Sequence, residues 1–550
     1  MSLCKTQFAV AVMIVFVCKP LSVPCNGQTQ GLINQDKNKS SCGMKSVDQP
    51  LEEMTWKDLL WKIESTDENR VVVTGKRFSK GNGNNGEFNL DNGKKPLEFI
   101  ECEFDQTLDF DERNFSALKL TKCRIKKIDA TNCYIQNKLE LRECEVMESI
   151  LLDHASIGHL QINYSIVRCI GNQSMDRRPI KTNRSVSGKG LQILRYVDLS
   201  DSCFKGELYF QQSKIDGEVK IYRTFVGGEV TFDESSIGKS FSMLDSEVAS
   251  GTIRAPLSSI AGNLDLAKTK IRNSLNGESL YVYGMKLNGS ANLDKQFMCD
   301  GSVIFNDCRI GAALALPEEK GATMIDLTST ECQRLAFASN IIPKRIDCAG
   351  FSFKDLSFEV ASANELLAKE AYPSKYFNIN TCRDFCEKAQ QSNGNFGIFK
   401  KFATAFENHG DSLNAREFRI LAEKYKFKYG SEISTHMLVW YRLGWWVGYG
   451  YKPLWVGVFA IAWIALSSIF LHFFQGSLID SVDGNCKSDG FNALLYSLDT
   501  FLPFVDLRYA DHFKLKHKYW SAVFVICHVF VGWFLASMFI TAISGWTLSS

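Results

Sequence analysis

The sequence predicts a mainly β fold: a β-solenoid, in the form of a right-handed β-helix of about 21 residues per coil, with helical caps and a C-terminal two-helix transmembrane domain. Three observations predict it. A six-residue template, apolar-x-x-small-x-apolar, recurs at steps of 10 to 12 residues through most of 97–352. Glycines and short period-two apolar pairs punctuate the copies, as tight turns between short strands require. Two runs near the C-terminus, 454–474 and 519–543, contain no Asp, Glu, Lys or Arg, and each reaches the roughly 20 residues needed to cross a bilayer.

The elements follow in chain order. Residues 8–18 (FAVAVMIVFVC) form a short apolar run between Lys5 and Lys19, the layout of a signal-peptide core within 1–25. Residues 46–95 form a cap and lead-in, with a helix over Ser46–Ile63 that places Trp56, Leu59, Leu60 and Ile63 on one face. The template then starts at Phe99/Cys102/Phe104 and continues through Leu120/Cys123/Ile125, Ala130/Cys133/Ile135 and Leu141/Cys144/Val146. A basic insertion at 168–196 interrupts it. Clear copies resume at Leu199/Ser202/Phe204 and run to Leu266/Thr269/Ile271, with looser ones beyond. An evenly spaced β-sandwich also produces short strands, but does not demand one small residue at one phase in so many units. Two units make one coil. Cys102, Cys123, Cys133, Cys144 and Cys308 occupy the small position, where a thiol serves as a small core group.

Residues 360–452 form a helical connector, with helices at Ser362–Ala371, Cys382–Ala389, Ile398–Ala405 and Ser412–Lys428. Eight of the ten tryptophans lie between Trp440 and Trp546, as interfacial belts around two spans would place them. Between the spans, 491–505 (FNALLYSLDTFLPFV) is nearly apolar and too short to cross as a helix. It reads as a re-entrant or interfacial half-helix, extending to 507. Tyr496, Asp499, Pro503, Asp506 and His528 are the candidate pore or membrane-functional residues, because ionisable groups at bilayer depth are functional by default. The competing assignment is structural: Asp499 caps or faces water, and His528 bonds a neighbouring helix. No glycine occurs in 491–518, so a glycine-based carbonyl filter is absent. Lys/Arg counts next to the spans place the inter-span loop inside and the solenoid outside; adding the basic residues of 416–428 reverses that result.

Composition and motifs exclude several functions. Lys+Arg 63 against Asp+Glu 61 gives +2 over 550 residues, so no strongly basic face exists for nucleic acid. Apolar residues at 45% and charged residues at 23% exclude global disorder. Gly81–Gly86 matches G-x-G-x-x-G, but no helix opens after it. There is no C-x-x-C, and Cys382 with Cys386 has no nearby His. No catalytic residue, cofactor site or metal site is assigned, and no cofactor is expected.

From Asn395 on, the chain resembles a bacterial family of membrane proteins with pentapeptide-repeat-like β-helical domains and two C-terminal transmembrane helices. The resemblance rests on Ala415–Lys424, Gly448-Tyr449-Gly450-Tyr451-Lys452-Pro453, Tyr496–Leu507 and Gly532-Trp533-Phe534-Leu535. Members are often labelled membrane-associated oxidoreductases, although no cofactor motif in this sequence supports that label. The repeat unit here is near 11 rather than 5, and the signal-like N-terminus is a further departure.

These readings together imply an integral cell-membrane protein that presents a non-enzymatic β-solenoid to a protein or glycan partner, as a scaffold. Its partners are the membrane and, with it, further copies of the chain as a homo-oligomer. The alternatives are a channel-like oligomer built on 491–507, and a membrane-associated enzyme, either an oxidoreductase or a glycan hydrolase.

Overall fold

The computed structural model describes residues 51–65, 70–79, 95–169, 184–272, 274, 277–293, 296–317, 322–337, 342–358, 379–393, 397–429, 453–481, 491–502, 507–515 and 519–547. The signal-like segment, the helix expected at Ser362–Ala371, and the site residues Pro503 and Asp506 lie outside this set.

Each regular coil carries four short strand sites. One coil uses Cys203–Phe204, Glu207–Tyr209, Lys214–Ile215 and Val219–Tyr222. The next uses Phe225–Val226, Val230–Thr231, Ser236–Ile237 and Phe241–Leu244. Every strand pairs in parallel with its equivalent in the neighbouring coils. Cys203 pairs with Phe225, 22 positions on; Leu97 pairs with Leu118, 21 positions on. The result is a parallel β-solenoid of about 12 turns. Its inward Leu, Ile, Val and Phe residues form one continuous core.

The template has a backbone cause. The third residue of every copy from Glu101 to Lys268 adopts positive φ, between 50° and 59°. This left-handed step costs roughly 1–2 kcal/mol for a residue with a Cβ, and it turns the chain at a corner of the coil. It aims the fourth residue inward in little space, so that residue is small in these copies except Phe110/Arg113/Phe115, where Arg113 follows Glu112. Where a glycine makes the turn, at Gly190, Gly284 and Gly350, the fourth residue is large: Leu191, Met285 and Phe351.

The corner also explains the hydroxyls. Ser213 N–H donates to Ser235 Oγ at 3.1 Å and Ser235 N–H to Ser258 Oγ at 3.2 Å. Ser235 Oγ–H donates back to Phe210 O at 2.6 Å. Each buried hydroxyl therefore both accepts from and donates to the preceding coil, as Ser235 does with Ser213 N–H and Phe210 O, satisfying groups that the irregular corner would leave unpaired. In the first coils a thiol takes this place: Cys123 Sγ donates to Phe99 O at 3.4 Å and Cys144 Sγ to Leu120 O at 3.3 Å. Cys102, Cys123, Cys133, Cys144 and Cys308 are at most 2% exposed, as a core ladder requires.

Burial pushes the thiols of Cys133, Cys308 and Cys332 up to about 12. A protonated, inaccessible thiol is a poor nucleophile. Iodoacetamide at pH 8 therefore leaves these three unmodified in the native protein and modifies all three in guanidinium, as peptide mass spectrometry would show. Rapid native labelling of any of them would contradict the core-ladder assignment.

Outward charges alternate in sign along the coils. Glu103, Arg124 and Glu145 are in-register neighbours. Arg124 pairs with Glu103 at 3.2 Å, and Lys119 with Glu98 at 2.9 Å. At one corner Arg223 makes two bonds to Asp201, at 2.6 and 2.8 Å.

Helices close the stack at both ends. α1 (Trp56–Ser65) starts later than Ser46. Glu52–Glu53 instead pairs in parallel with Lys76–Arg77, and Thr55 then caps α1: Thr55 N–H donates to Asp58 Oδ2 at 3.0 Å, and Asp58 N–H to Thr55 Oγ1 at 3.3 Å. Downstream lie α2 (Ile379–Asn393), α3 (Gly397–Asn408) and α4 (Ser412–Tyr429). Their side chains satisfy carbonyls of the last described coil, whose ladder has no further strand among the described residues. Lys388 Nζ donates to Ile342 O at 3.1 Å, Lys401 Nζ to Phe351 O, and Asn408 Nδ2 to Lys354 O at 3.4 Å.

The insertion is narrower than 168–196. Ile166–Val167 and Arg184–Ser187 are already ladder strands, and Gln192–Asp198 pairs with Ser156–Asn163. The template is hidden there because Gly190 makes the turn and Leu191 fills the small position.

Candidate functional site: the apolar helix junction

The C-terminal region contains α5 (Pro453–Leu478), α6 (Ala493–Phe501) and α7 (Trp520–Thr547). Leu454–Phe474 of α5 and Ala522–Ile540 of α7 are long and apolar enough to cross a membrane. α6 is shorter than the 491–505 expected. Asn492 caps its start, with Oδ1 accepting from Leu494 N–H at 3.0 Å and Leu495 N–H at 3.2 Å. Leu502 ends it in extended backbone, as the residue before a proline prefers.

His528 lies where the three helices meet, 1% exposed. Trp463 Nε1–H of α5 donates to its Nδ1 at 3.0 Å. An indole nitrogen can only donate, so Nδ1 is the acceptor and the ring proton sits on Nε2. Nε2–H donates to Ser497 O of α6 at 2.9 Å. Ser467 Oγ lies 3.1 Å from Nδ1, and Ser497 Oγ–H donates to Ile464 O at 3.2 Å. The imidazole thus joins all three helices. Phe524 stacks on it, with ring centres 6.0 Å apart. One turn further along α7, Gly532 lets the backbone of α6 approach. A Cβ there would lie 2.1 Å from Phe501 O, the close contact that small residues permit between membrane helices.

The other described site residues are also engaged. Asp499 Oδ1 accepts from Leu507 N–H at 2.7 Å and Oδ2 from Ala510 N–H at 2.8 Å. Its carboxylate therefore fastens α6 to the segment that follows it. Tyr496 is 5% exposed and packs in an aromatic cluster with Phe491 and Phe513, at ring distances of 5.6 and 6.2 Å. Phe513–Leu515 pairs antiparallel with Ile479–Ser481, joining the end of α5 to the approach to α7. His528 thus bonds its neighbouring helices, as the competing assignment has it, whereas Asp499 accepts backbone N–H groups of the following segment.

The sequence does not single out Trp463 and Ser467, and Ser497 and Gly532 enter its reading only within the stretches that carry the resemblance. Their available signal is that small or polar residues interrupt otherwise large apolar runs.

Among the described residues, no group of three or more His, Cys, Asp and Glu side chains could hold a metal ion. Comparison of the chain with protein-family models, with curated proteins and with solved structures gives no match.

Proposed function

We propose that this is an integral membrane protein whose two apolar helices anchor a non-enzymatic β-solenoid that serves as a scaffold for a partner. One observation carries the reading. The apolar windows of α5 and α7 are only 22% and 17% buried, with Leu454 84%, Ile461 70%, Phe473 75% and Phe530 70% exposed. A core helix of a soluble protein buries such side chains; a lipid-facing helix leaves them outward. The half-helix supports the same reading as part of the anchor, because the polar groups of His528 and Ser497 are turned onto the chain's own helices and Asp499 onto the segment after α6, as membrane-depth polar groups require.

A scaffold anchored in this way needs no ring of copies, whereas a pore built from two spans per chain needs several around one axis. Light scattering of the purified protein in detergent micelles is therefore expected to give one or two chains per particle. A ring of about four or more copies, with ion flux lost in Asp499→Asn, would replace the scaffold by a channel.

A further inference from the structure

The bonds that join α5, α6 and α7 can be made only by a neutral imidazole. Trp463 Nε1–H donates to Nδ1 of His528 at 3.0 Å, and an indole nitrogen never accepts. Nε2–H donates to Ser497 O at 2.9 Å. One ring nitrogen must accept while the other donates, which the doubly protonated ring cannot do. A second proton would sit on Nδ1 and set N–H against N–H across the contact with Trp463. Ser467 Oγ, 3.1 Å from Nδ1, could turn to accept that proton; the indole could not.

No described neighbour offers a compensating charge. α5 carries no Asp, Glu, Lys or Arg over 454–474, and its one titratable group there, His472, is exposed. On α7, Phe524 stacks on the ring, and the adjacent Cys527 is exposed. On α6, Phe501 faces the ring with centres 5.4 Å apart. Tyr496 of α6 packs instead with Phe491 and Phe513, and both carboxylate oxygens of Asp499 accept backbone N–H groups beyond the helix. An imidazolium at this point would be a charge 1% exposed with no counter-ion, which is costly until water reaches it. Of the three helices, α6 has nine residues and cannot span, so it alone can move away without drawing a span out of the bilayer.

We propose that His528 is an acid-sensitive latch: protonation of its ring opens the junction and frees α6 from α5 and α7, and loss of the proton docks it again. The bond from Ser497 Oγ–H to Ile464 O breaks and reforms with it. The sign follows from linkage. The closed junction has no place for the second proton, whereas the ring freed into water titrates near the ordinary imidazole value of about 6.5. Opening therefore takes up one proton, so the closed state keeps its full stability above about pH 6.5 and loses it progressively below. At about pH 5 the opening equilibrium is favoured roughly thirtyfold over its value at neutral pH. The latch goes beyond the scaffold reading and operates whatever the solenoid binds.

The test is hydrogen–deuterium exchange of the full-length protein in detergent micelles, read by mass spectrometry and corrected for the pH dependence of free-amide exchange. Protection of the α6 amides is expected to be level from about pH 8 to pH 6.5 and then to fall about tenfold per pH unit to pH 5, recovering on neutralisation. In His528→Gln, whose amide donates and accepts but does not titrate, protection should be independent of pH. Asp499→Asn should keep the acid response, because it removes the nearest carboxylate and leaves the ring. Three results overturn the proposal: protection in the parent protein that stays level down to about pH 5, an equal fall in His528→Gln, or a response abolished by Asp499→Asn. If His528→Gln is already unprotected at neutral pH, the parent profile decides, since a fall that begins only in the carboxylate range near pH 4 excludes the imidazole. Level protection in a protein still retained in membranes removes the latch and leaves the anchored scaffold; loss of membrane retention removes the scaffold itself.

Discussion

Replacing Gly217 by alanine is expected to disrupt the central coils. The new Cβ would lie 1.2 Å from Arg195 O and 2.4 Å from its carbonyl carbon. Those are backbone atoms of the preceding coil, and that coil is fixed by parallel pairing of Val197 with Val219 and of Ile193 with Ile215. A side chain could rotate away; this carbonyl can move only by breaking register on both sides of the corner. The cost is on the order of 4 kcal/mol or more, in the range reserved for severe overpacking. Gly75→Ala is the control. Unlike Gly217 it has positive φ, 63°, but nothing lies within 4 Å of its added Cβ, so only the left-handed strain of roughly 1 kcal/mol applies. Thermal melts followed by far-ultraviolet circular dichroism should separate the two variants widely. Similar melts would contradict the coil stacking at this corner.

His528→Leu is expected to release the half-helix from the spans. The change removes the acceptor of Trp463 and the donor to Ser497 O while keeping an apolar side chain. Hydrogen bonds between membrane helices are worth about 0.6–1.7 kcal/mol each, so losing the set costs roughly 2–4 kcal/mol. The readout is limited proteolysis in micelles. Cleavage should appear near Leu502–Leu507 in His528→Leu, be absent in the parent protein, and be reduced in His528→Gln, whose amide both donates and accepts. Equal protection in all three would mean that packing of Phe501 and Gly532, rather than the imidazole, holds α6.

The solenoid was legible because its period is carried by side chains that face the core. Cys102, Cys123 and Cys144 repeat at 21 residues, and one coil has that length. The reason for the small residue was not legible. The left-handed turn sits on the third template position, where Glu, Lys, Asn, His, Tyr, Asp, Gln, Arg and Leu all occur. Those side chains point to solvent, so no residue type records the backbone conformation. The same variability hid the coil at Gly190 and Leu191. Charges at coil spacing, such as Glu101, Lys122 and Glu143, alternate and could have been read once the period was known.

The apolar helices were legible from length and composition alone. Their junction was not, because its bonds join residues far apart in sequence: Trp463 and His528 are 65 positions apart, and Ser497 and His528 are 31 apart. Local pattern carries no trace of such a pairing. The half-helix boundaries failed for a local reason: Asn492 as a cap and Pro503 as a stop, both visible in the sequence, outweigh the apolar run that surrounds them.

The central claim is that α5 and α7 hold the solenoid at a bilayer, and alkaline carbonate extraction tests it most directly. The full-length chain should stay in the membrane pellet at high pH and enter solution only with detergent. The chain ending at residue 452 should leave the pellet and keep the β-rich circular dichroism of the solenoid. Carbonate release of the full-length chain would contradict the account, because it would mean that the exposed apolar faces of α5 and α7 are covered by protein rather than by lipid.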